Sequence, residues 1–340
     1  MLFFQDDRHR LHFPQGELSG GQFQTPYERP SRVEYILRRL TETGFAPGAP
    51  GPLDWDPIRK VHDAGYLAFL ETAWAEWVAE GFKGEIIAAA WPTRRMAQKC
   101  PRNIDGKVGY YAQSAETAMT AGTWGAAQAS CALAQSAVRE VASGARAAFA
   151  LCRPPGHHAM SDMYGGYCFI NNAGVAAQMM LDGGAAKVAV LDIDFHHGNG
   201  TQDIFYDRND VFYASIHGAP EDAYPYFLGY ADEVGAGDGI GANMNLPLPP
   251  GAGYGAWSGA LDAAIARTRE VGAEALVVSL GVDAFKEDPI SFFKLDSPDF
   301  HDAGRRIAAL NLPTVFVMEG GYAVEAVGIN TVNVLQGFEA

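Results

Sequence analysis

Apolar positions along the chain follow two rhythms that take turns. Short, continuous apolar runs lie at residues 147–152 (AAFALC), 187–193 (KVAVLDI), 211–217 (VFYASIH), 275–280 (ALVVSL) and 313–318. Runs of this length read as strands buried on both faces. Between and after them, apolar residues recur at helical spacing over 171–181, 254–271 and 298–310, and a last helix closes the chain. Strands alternating with helices predict an α/β fold, with a parallel sheet covered by helices on both faces. Such sheets gather ligands beyond the carboxyl ends of their strands.

The first 143 residues are less regular. Residues 2–5 read as a first strand and the polar, Gly- and Pro-containing 6–30 as an exposed loop carrying Glu17. Ser31 is placed to cap a helix through Val33, Ile36, Leu37 and Leu40 that ends before Gly44. Residues 45–57 hold four prolines and two glycines and read as loop, and 62–80 as helix with Trp74 and Trp77 on one side. Residues 81–113, with Pro92, Pro101, Arg94, Arg95, Lys99 and Arg102, form an irregular insert, a kind of segment that is often functional. An alanine-rich helix is expected over 116–143, broken near Gly122–Thr123. No linker or repeat divides the 340 residues, so one domain over 1–340 is expected.

Composition adds limits. A net charge of −15 argues against nucleic acid or an anionic membrane as partner and weakly favours cationic ligands. No apolar run reaches the length of a transmembrane helix, and the first residues, MLFFQDDRHR, lack the pattern of a signal peptide. Four cysteines without a CxxC pair suit a reducing compartment, and a cytoplasmic location is expected.

The densest chemistry lies at 191–200, LDIDFHHGNG, directly after an apolar run. In an extended segment residues i and i+2 face the same side, so Asp194 and His196 converge and can begin a metal site. Asp283, after the 275–280 run, is the natural third ligand. Asp-His-Asp is a hard donor set that leaves positions open for water and substrate, the mark of a catalytic metal. His157 and His158 follow a Pro-Pro-Gly turn and suit acid–base work, and Tyr322 follows Gly320-Gly321 and could donate to a developing oxyanion. His62, His217 and His301 read as ordinary structural histidines, and His197 as facing away from His196.

RPPGHH, GGYCFINN, LDIDFHHGNG, SLGVD and EGGY, in this order, resemble the signatures of the zinc-dependent histone deacetylase superfamily. ELSGG, VHDAGY, IDGKVGYYAQSAET, FLGYADE and DPISFFKL extend the resemblance over nearly the whole length, toward the bacterial acetylpolyamine amidohydrolases. The resemblance implies an arginase/deacetylase-like three-layer fold with an eight-stranded, mainly parallel sheet. It implies one zinc ion on Asp194, His196 and Asp283, and potassium on Asp192, Ser215 and backbone oxygens of Asp194, His196 and Ile216. His158 would be the base and then the acid, with Asn199 as partner where many relatives carry Asp. His157 would pair with Asp192, and Tyr322 would polarise the amide carbonyl. Gly166 would accept the substrate N–H, Tyr167 and Tyr224 would wall a tunnel, and Glu17, Asp105 and Glu116 would meet distal ammonium groups. The insert would narrow the tunnel across a homodimer.

Three other functions are weighed by single features. An arginase-type two-manganese site needs carboxylates where this chain has Gly198 and Gly281. A non-catalytic acetyl-amine binder would have lost His157, His158 or Tyr322, and all are present. A protein lysine deacetylase would use the same groups and is separated only by its substrate.

Overall fold

The computed structural model describes residues 1–340. The N-terminal part contains β1 (Leu2–Phe4), the hairpin β2 (Glu17–Ser19) and β3 (Gln22–Gln24), α1 (Ser31–Glu42), β4 (Ala46–Pro47), α2 (Asp56–Val61), α3 (Ala64–Ala79), α4 (Ile104–Tyr111) and α5 (Thr123–Ala142). The regular part follows as β5 (Ala147–Ala150), α6 (Asn172–Asp182), β6 (Val188–Asp192), α7 (Asn199–Phe205), β7 (Val211–Gly218) and β8 (Asn243–Leu248). It ends with α8 (Tyr254–Glu270), β9 (Ala275–Leu280), α9 (Ser297–Ala308), β10 (Thr314–Met318) and α10 (Val324–Glu339).

Eight strands form one sheet in the order β4-β1-β5-β10-β9-β6-β7-β8, and every neighbouring pair is parallel. The period-2 alternation of strand side chains divides the core into two layers. Val188, Val190, Val277 and Val315 pack with α3, α5 and α6 on one face. Ala189, Leu191, Val278 and Phe316 pack on the other with Val33 of α1, Trp257 of α8, Phe300 of α9 and Leu335 of α10. Each such valine or leucine removed from water contributes about 1.5–3 kcal/mol, so burial on both faces is what holds the central strands in place. The α/β sheet expected from the sequence is therefore present, with all of its pairs parallel.

Several local expectations are corrected. Ser31 does not cap α1: Pro30 takes the cap position without a side-chain hydrogen bond, and Ser31 is already helical. Residues 6–30 are not an open loop. Asp6 caps a 3₁₀ turn over Asp7–Leu11, and β2 and β3 form a hairpin across Gly20 and Gly21, both at positive φ, as a two-residue turn requires. This folding buries His9, His12, Glu17 and Glu28. Helix α5 starts only at Thr123, because the residues before it are drawn into a bridge between Ile86 and Met119. The insert contains α4, capped by the Asn103 side chain. Strand β8 carries no strand signal in the sequence because Asn243, Asn245 and Pro247 interrupt its apolar pattern, and as an edge strand it tolerates them. Helices α2 and α7 and the two-residue β4 were also unforeseen.

Candidate active site

The site is assembled where β5, β9, β6 and β10, all central strands, run out at their carboxyl ends. After β6 the chain does not stay extended. Asp192 Oδ1 accepts from the Asp194 amide (3.2 Å), and Asp194 Oδ1 accepts from the His196 amide (2.9 Å). Two successive aspartate turns of this kind bend the chain, so Asp194 and His196 converge through the bend and not through strand alternation. Asp283, beyond β9, accepts from the Phe195 amide through Oδ1 (2.8 Å), and its Oδ2 lies 2.9 Å from His196 Nδ1. The Gly320 amide, beyond β10, donates to Asp194 Oδ2 (2.7 Å). Each carboxylate is thus aimed by a backbone amide from another segment.

Ligand atoms of Asp194, His196 and Asp283 all lie within 4.8 Å of one another, and the three side chains are buried. Burial opposes both negative charges. His157 and His196 nonetheless hold the Asp194 carboxyl well below the usual range, while the Asp194 charge adds to burial in pushing Asp283 up to about 7. Two buried carboxylates crowded around one imidazole nitrogen are a hard donor set short of positive charge. The residues present fit a divalent cation.

His157 and His158 leave β5 through Arg153–Gly156 and stack with ring centroids 4.0 Å apart. His157 Nδ1 meets Asp192 Oδ2 at 3.1 Å. Burial works against a charge on His157, but Asp194 and Asp192 outweigh it and raise the imidazole to about 10. His158 has the opposite environment. Burial, then the charges of His157 and His196, hold it well below its ordinary value, although Asn199 Oδ1 lies 2.7 Å from its Nδ1. One histidine is thus kept as a cation and its neighbour as a neutral base, a separation suited to acid–base chemistry.

A cavity of about 360 Å³ opens onto His158 and His196. Its wall includes Tyr167, Tyr224 and Tyr322, with Phe195, Ile290 and Phe292. Gly166 and Tyr167 both take positive φ, 53° and 67°, and this turn carries the Tyr167 ring to within 5.9 Å of the Tyr322 ring. A Cβ at position 166 would collide with the His158 ring, so only glycine fits there. Glu17 and Glu116 also line the cavity. Glu17 is buried and bonded by Gln24 and the Tyr27 amide, and Glu116 is bonded by the Ser114 hydroxyl. Asp105 is not brought there: it is exposed on the first turn of α4, its amide spent on the Asn103 cap. Asp192 and Ser215 are register partners on β6 and β7, with Ile216 next along β7.

The histone deacetylase domain matches residues 26–338. The chain is 56% identical over its full length to acetylpolyamine amidohydrolase 2 of Pseudomonas aeruginosa, covering 99% of that protein, and 55% identical to the acetylpolyamine amidohydrolase of Mycoplana ramosa, covering 99% of this chain and 98% of that one. The chain belongs to the histone deacetylase family. Its fold superposes on a crystal structure of the Burkholderia pseudomallei acetylpolyamine aminohydrolase with a TM-score of 0.95, at 40% identity over 100% of this chain and 99% of the other.

Within this histone deacetylase framework several functional residues had no assigned role. Glu319, of EGGY, accepts from the Gly156 and His157 amides (2.7 and 3.1 Å) and so fixes the histidine turn. Burial pushes its carboxyl up to about 8. Asp288, of DPISFFKL, accepts from the Tyr322 and Ala323 amides (2.7 and 3.2 Å). The Tyr213 hydroxyl lies 3.1 Å from Asp192 Oδ2, and Gln113 touches both Asn199 and the His158 carbonyl. The motifs containing Glu319, Asp288 and Gln113 were visible as runs, but pairings across dozens of residues leave no periodic trace. Glu319 also lies near His157 and Cys168. Its bonds to two amides, and that of His157 to Asp192, make the grouping structural. His197 turns away, toward Asn245 and His217.

Proposed function

We propose that this chain is a zinc-dependent amidohydrolase that releases acetate from N-acetylated polyamines. One observation carries the proposal: a single tyrosine-walled cavity joins His196, of the Asp194–His196–Asp283 donor set, and the neutral His158 to the carboxyl groups of Glu17 and Glu116. Full-length identity to proteins named as acetylpolyamine amidohydrolases supports it.

Asp194, His196 and Asp283 would hold the metal, which supplies Lewis acidity at the amide oxygen and acidifies the attacking water. His158 takes the water's proton as the water adds to the acetyl carbonyl. The Tyr322 phenol, kept protonated by burial, donates to the developing oxyanion. His157, held by Asp192 and stacked on His158, would add electrostatic support from behind the base. His158 then returns its proton to the leaving nitrogen, giving acetate and a primary amine. Gly166, where a Cβ would run into the His158 ring, would accept the substrate N–H through its backbone carbonyl. Potassium would sit on Asp192 and Ser215 with backbone oxygens of Asp194, His196 and Ile216.

A slender cationic substrate suits the cavity. The aromatic walls exclude bulk and the two glutamates attract ammonium groups, each pair contributing on the order of 1 kcal/mol where water screens it. Asp105 joins them only across a homodimer, since in one chain it points outward. Gly198 and Gly281 favour one metal over two. A Cβ at 198 would strike Asp192 and Tyr213, and one at 281 would strike Asp194, so neither position has room for a further carboxylate. Four unpaired cysteines support a cytoplasmic setting.

The test is a side-by-side measurement of kcat/KM on acetylputrescine, acetylcadaverine, acetylspermine and an acetyl-lysine peptide. The acetylpolyamines are expected to lead. A peptide preferred by more than about tenfold would transfer the assignment to protein deacetylation.

A further inference from the structure

The hydrogen bonds around His158 form a closed circuit through two amide side chains. Gln113 Nε2 lies 2.7 Å from the His158 carbonyl oxygen and 3.3 Å from that of Met163. Asn199 Nδ2 lies 2.8 Å from Gln113 Oε1, and Asn199 Oδ1 lies 2.7 Å from His158 Nδ1. We propose that Gln113 is a positioning residue that fixes the tautomer of His158 through Asn199.

Backbone carbonyls can only accept, which sets the direction of the whole circuit. Only the NH₂ end of Gln113 can face the two carbonyls, so its oxygen faces Asn199. Asn199 must then donate with its own NH₂ and present its oxygen to the imidazole. An oxygen that can only accept requires the proton on Nδ1. Nε2 is left as a bare lone pair on the edge of the ring that lines the cavity, where a base is needed. Turning both amides over would set three oxygens against one another and place the proton on Nε2, blocking the base.

The surroundings are built for this arrangement. Asn199 and His158 are buried. Gln113 is anchored by its amide bond to the Tyr164 carbonyl (2.8 Å), and a Cβ at Gly165 would overlap its side chain, so glycine there makes room for it. Gln113 directly follows α4 and Ala112, which ties the end of the irregular insert to the base. The circuit also explains why an amide and not a carboxylate suits position 199. A carboxylate would put a second oxygen against Gln113 Oε1.

The inference rests on His158 being the base of the proposed hydrolase, but its first readout needs no substrate. In metal-loaded enzyme labelled with ¹⁵N-histidine, long-range ¹H–¹⁵N spectra at pH 8 report each tautomer, with the His158 signals identified by their loss in His158→Phe. The expected result is a protonated Nδ1 and a bare Nε2. Gln113→Met should mix the tautomers and lower kcat about tenfold or more, with KM within about twofold. In Asn199→Ala, adding Gln113→Met should cost nothing further, because Gln113 acts only through Asn199. If Gln113→Met does not fold, Gln113→Leu at the same pH also removes the oxygen that holds the Asn199 amide and should give the same mixing. A protonated Nε2 in the unaltered enzyme overturns the proposal. So does an unchanged tautomer in the Gln113 variant, or full additivity with Asn199→Ala. Absence of turnover on acetylpolyamines beside the expected tautomer would defeat the substrate assignment and leave the circuit standing.

Discussion

Asn199 decides the charge of its neighbour. His158 is held neutral by burial first and then by the charge of His157, and the hydrogen bond to the uncharged Asn199 amide at 2.7 Å, which favours the imidazolium, is too weak to reverse this. Replacing it by aspartate sets an anion against Nδ1, favours the imidazolium and raises the imidazole pKa. A base is lost once it is protonated, so Asn199→Asp is expected to move the acidic limb of the kcat/KM profile to higher pH. A limb that stays in place would remove Asn199 from this role. Tyr322 lines the same cavity and is the proposed donor to the oxyanion. Tyr322→Phe keeps the ring packed against Tyr167 and removes only the donor, so kcat should fall about 10²–10³-fold with a much smaller change in KM. Equal losses in both constants would point to binding instead.

Loops at strand ends hold these side chains, and buried charge holds the loops. The turn after β10 is gripped from two directions. Asp288 accepts from the Tyr322 and Ala323 amides, while Arg32, from α1, donates to the carbonyls of Gly321 (2.7 Å) and Glu319 (2.5 Å) and lies 4.8 Å from the centre of the Tyr322 ring. Arg32 is itself paired with buried Glu28 (3.0 Å), which also pairs with buried Arg153 at the start of the histidine turn (2.8 Å). One carboxylate therefore serves two arginines that brace the two catalytic loops. Removing its charge strands both cations without water, and losing one partner of such a buried group costs about 3–5 kcal/mol. Glu28→Gln should lower stability by about that amount, read as a shift in the denaturant midpoint. A shift below about 1 kcal/mol would mean the arginines find other partners.

At the scale of the whole molecule, the metal and a second copy are the quantities to test. The Asp194–Asp283 pair is crowded and buried, so a divalent cation that binds only the folded chain stabilises it by mass action. Chelation should abolish turnover and lower the unfolding temperature, and zinc should restore both; an unfolding temperature indifferent to chelation would contradict the ligand set. Phe227, next to the cavity-lining Tyr226, is 86% exposed and Met96 on the insert 60%. A dimer that brings Asp105 to the cavity predicts that a dissociated chain loses affinity for acetylpolyamines. Sedimentation with parallel assays checks this, and a monodisperse monomer with full activity would end the dimer reading.

The sequence by itself determined the six inner strands of the sheet, among them those that carry chemistry, and the residue types at their ends. Those features are local: a buried parallel strand is an unbroken apolar run, and a ligand at its end follows within a few residues. The run 275–280 matches β9 residue for residue, and 187–193 and 211–217 bracket or nearly match β6 and β7. Only the tertiary structure decided how those ends meet. It replaced strand alternation with two aspartate turns, made by Asp192 and Asp194, buried Glu17 that a loop assignment had left in solvent, and turned Asp105 outward. It also joined Gln113 to Asn199, Glu319 to the His157 amide, and Glu28 to Arg153, pairs 86, 162 and 125 residues apart. A single hydrogen bond or ion pair between distant residues leaves no period or spacing in either segment. Such contacts come into being only when the hydrophobic layers have brought the strand ends together.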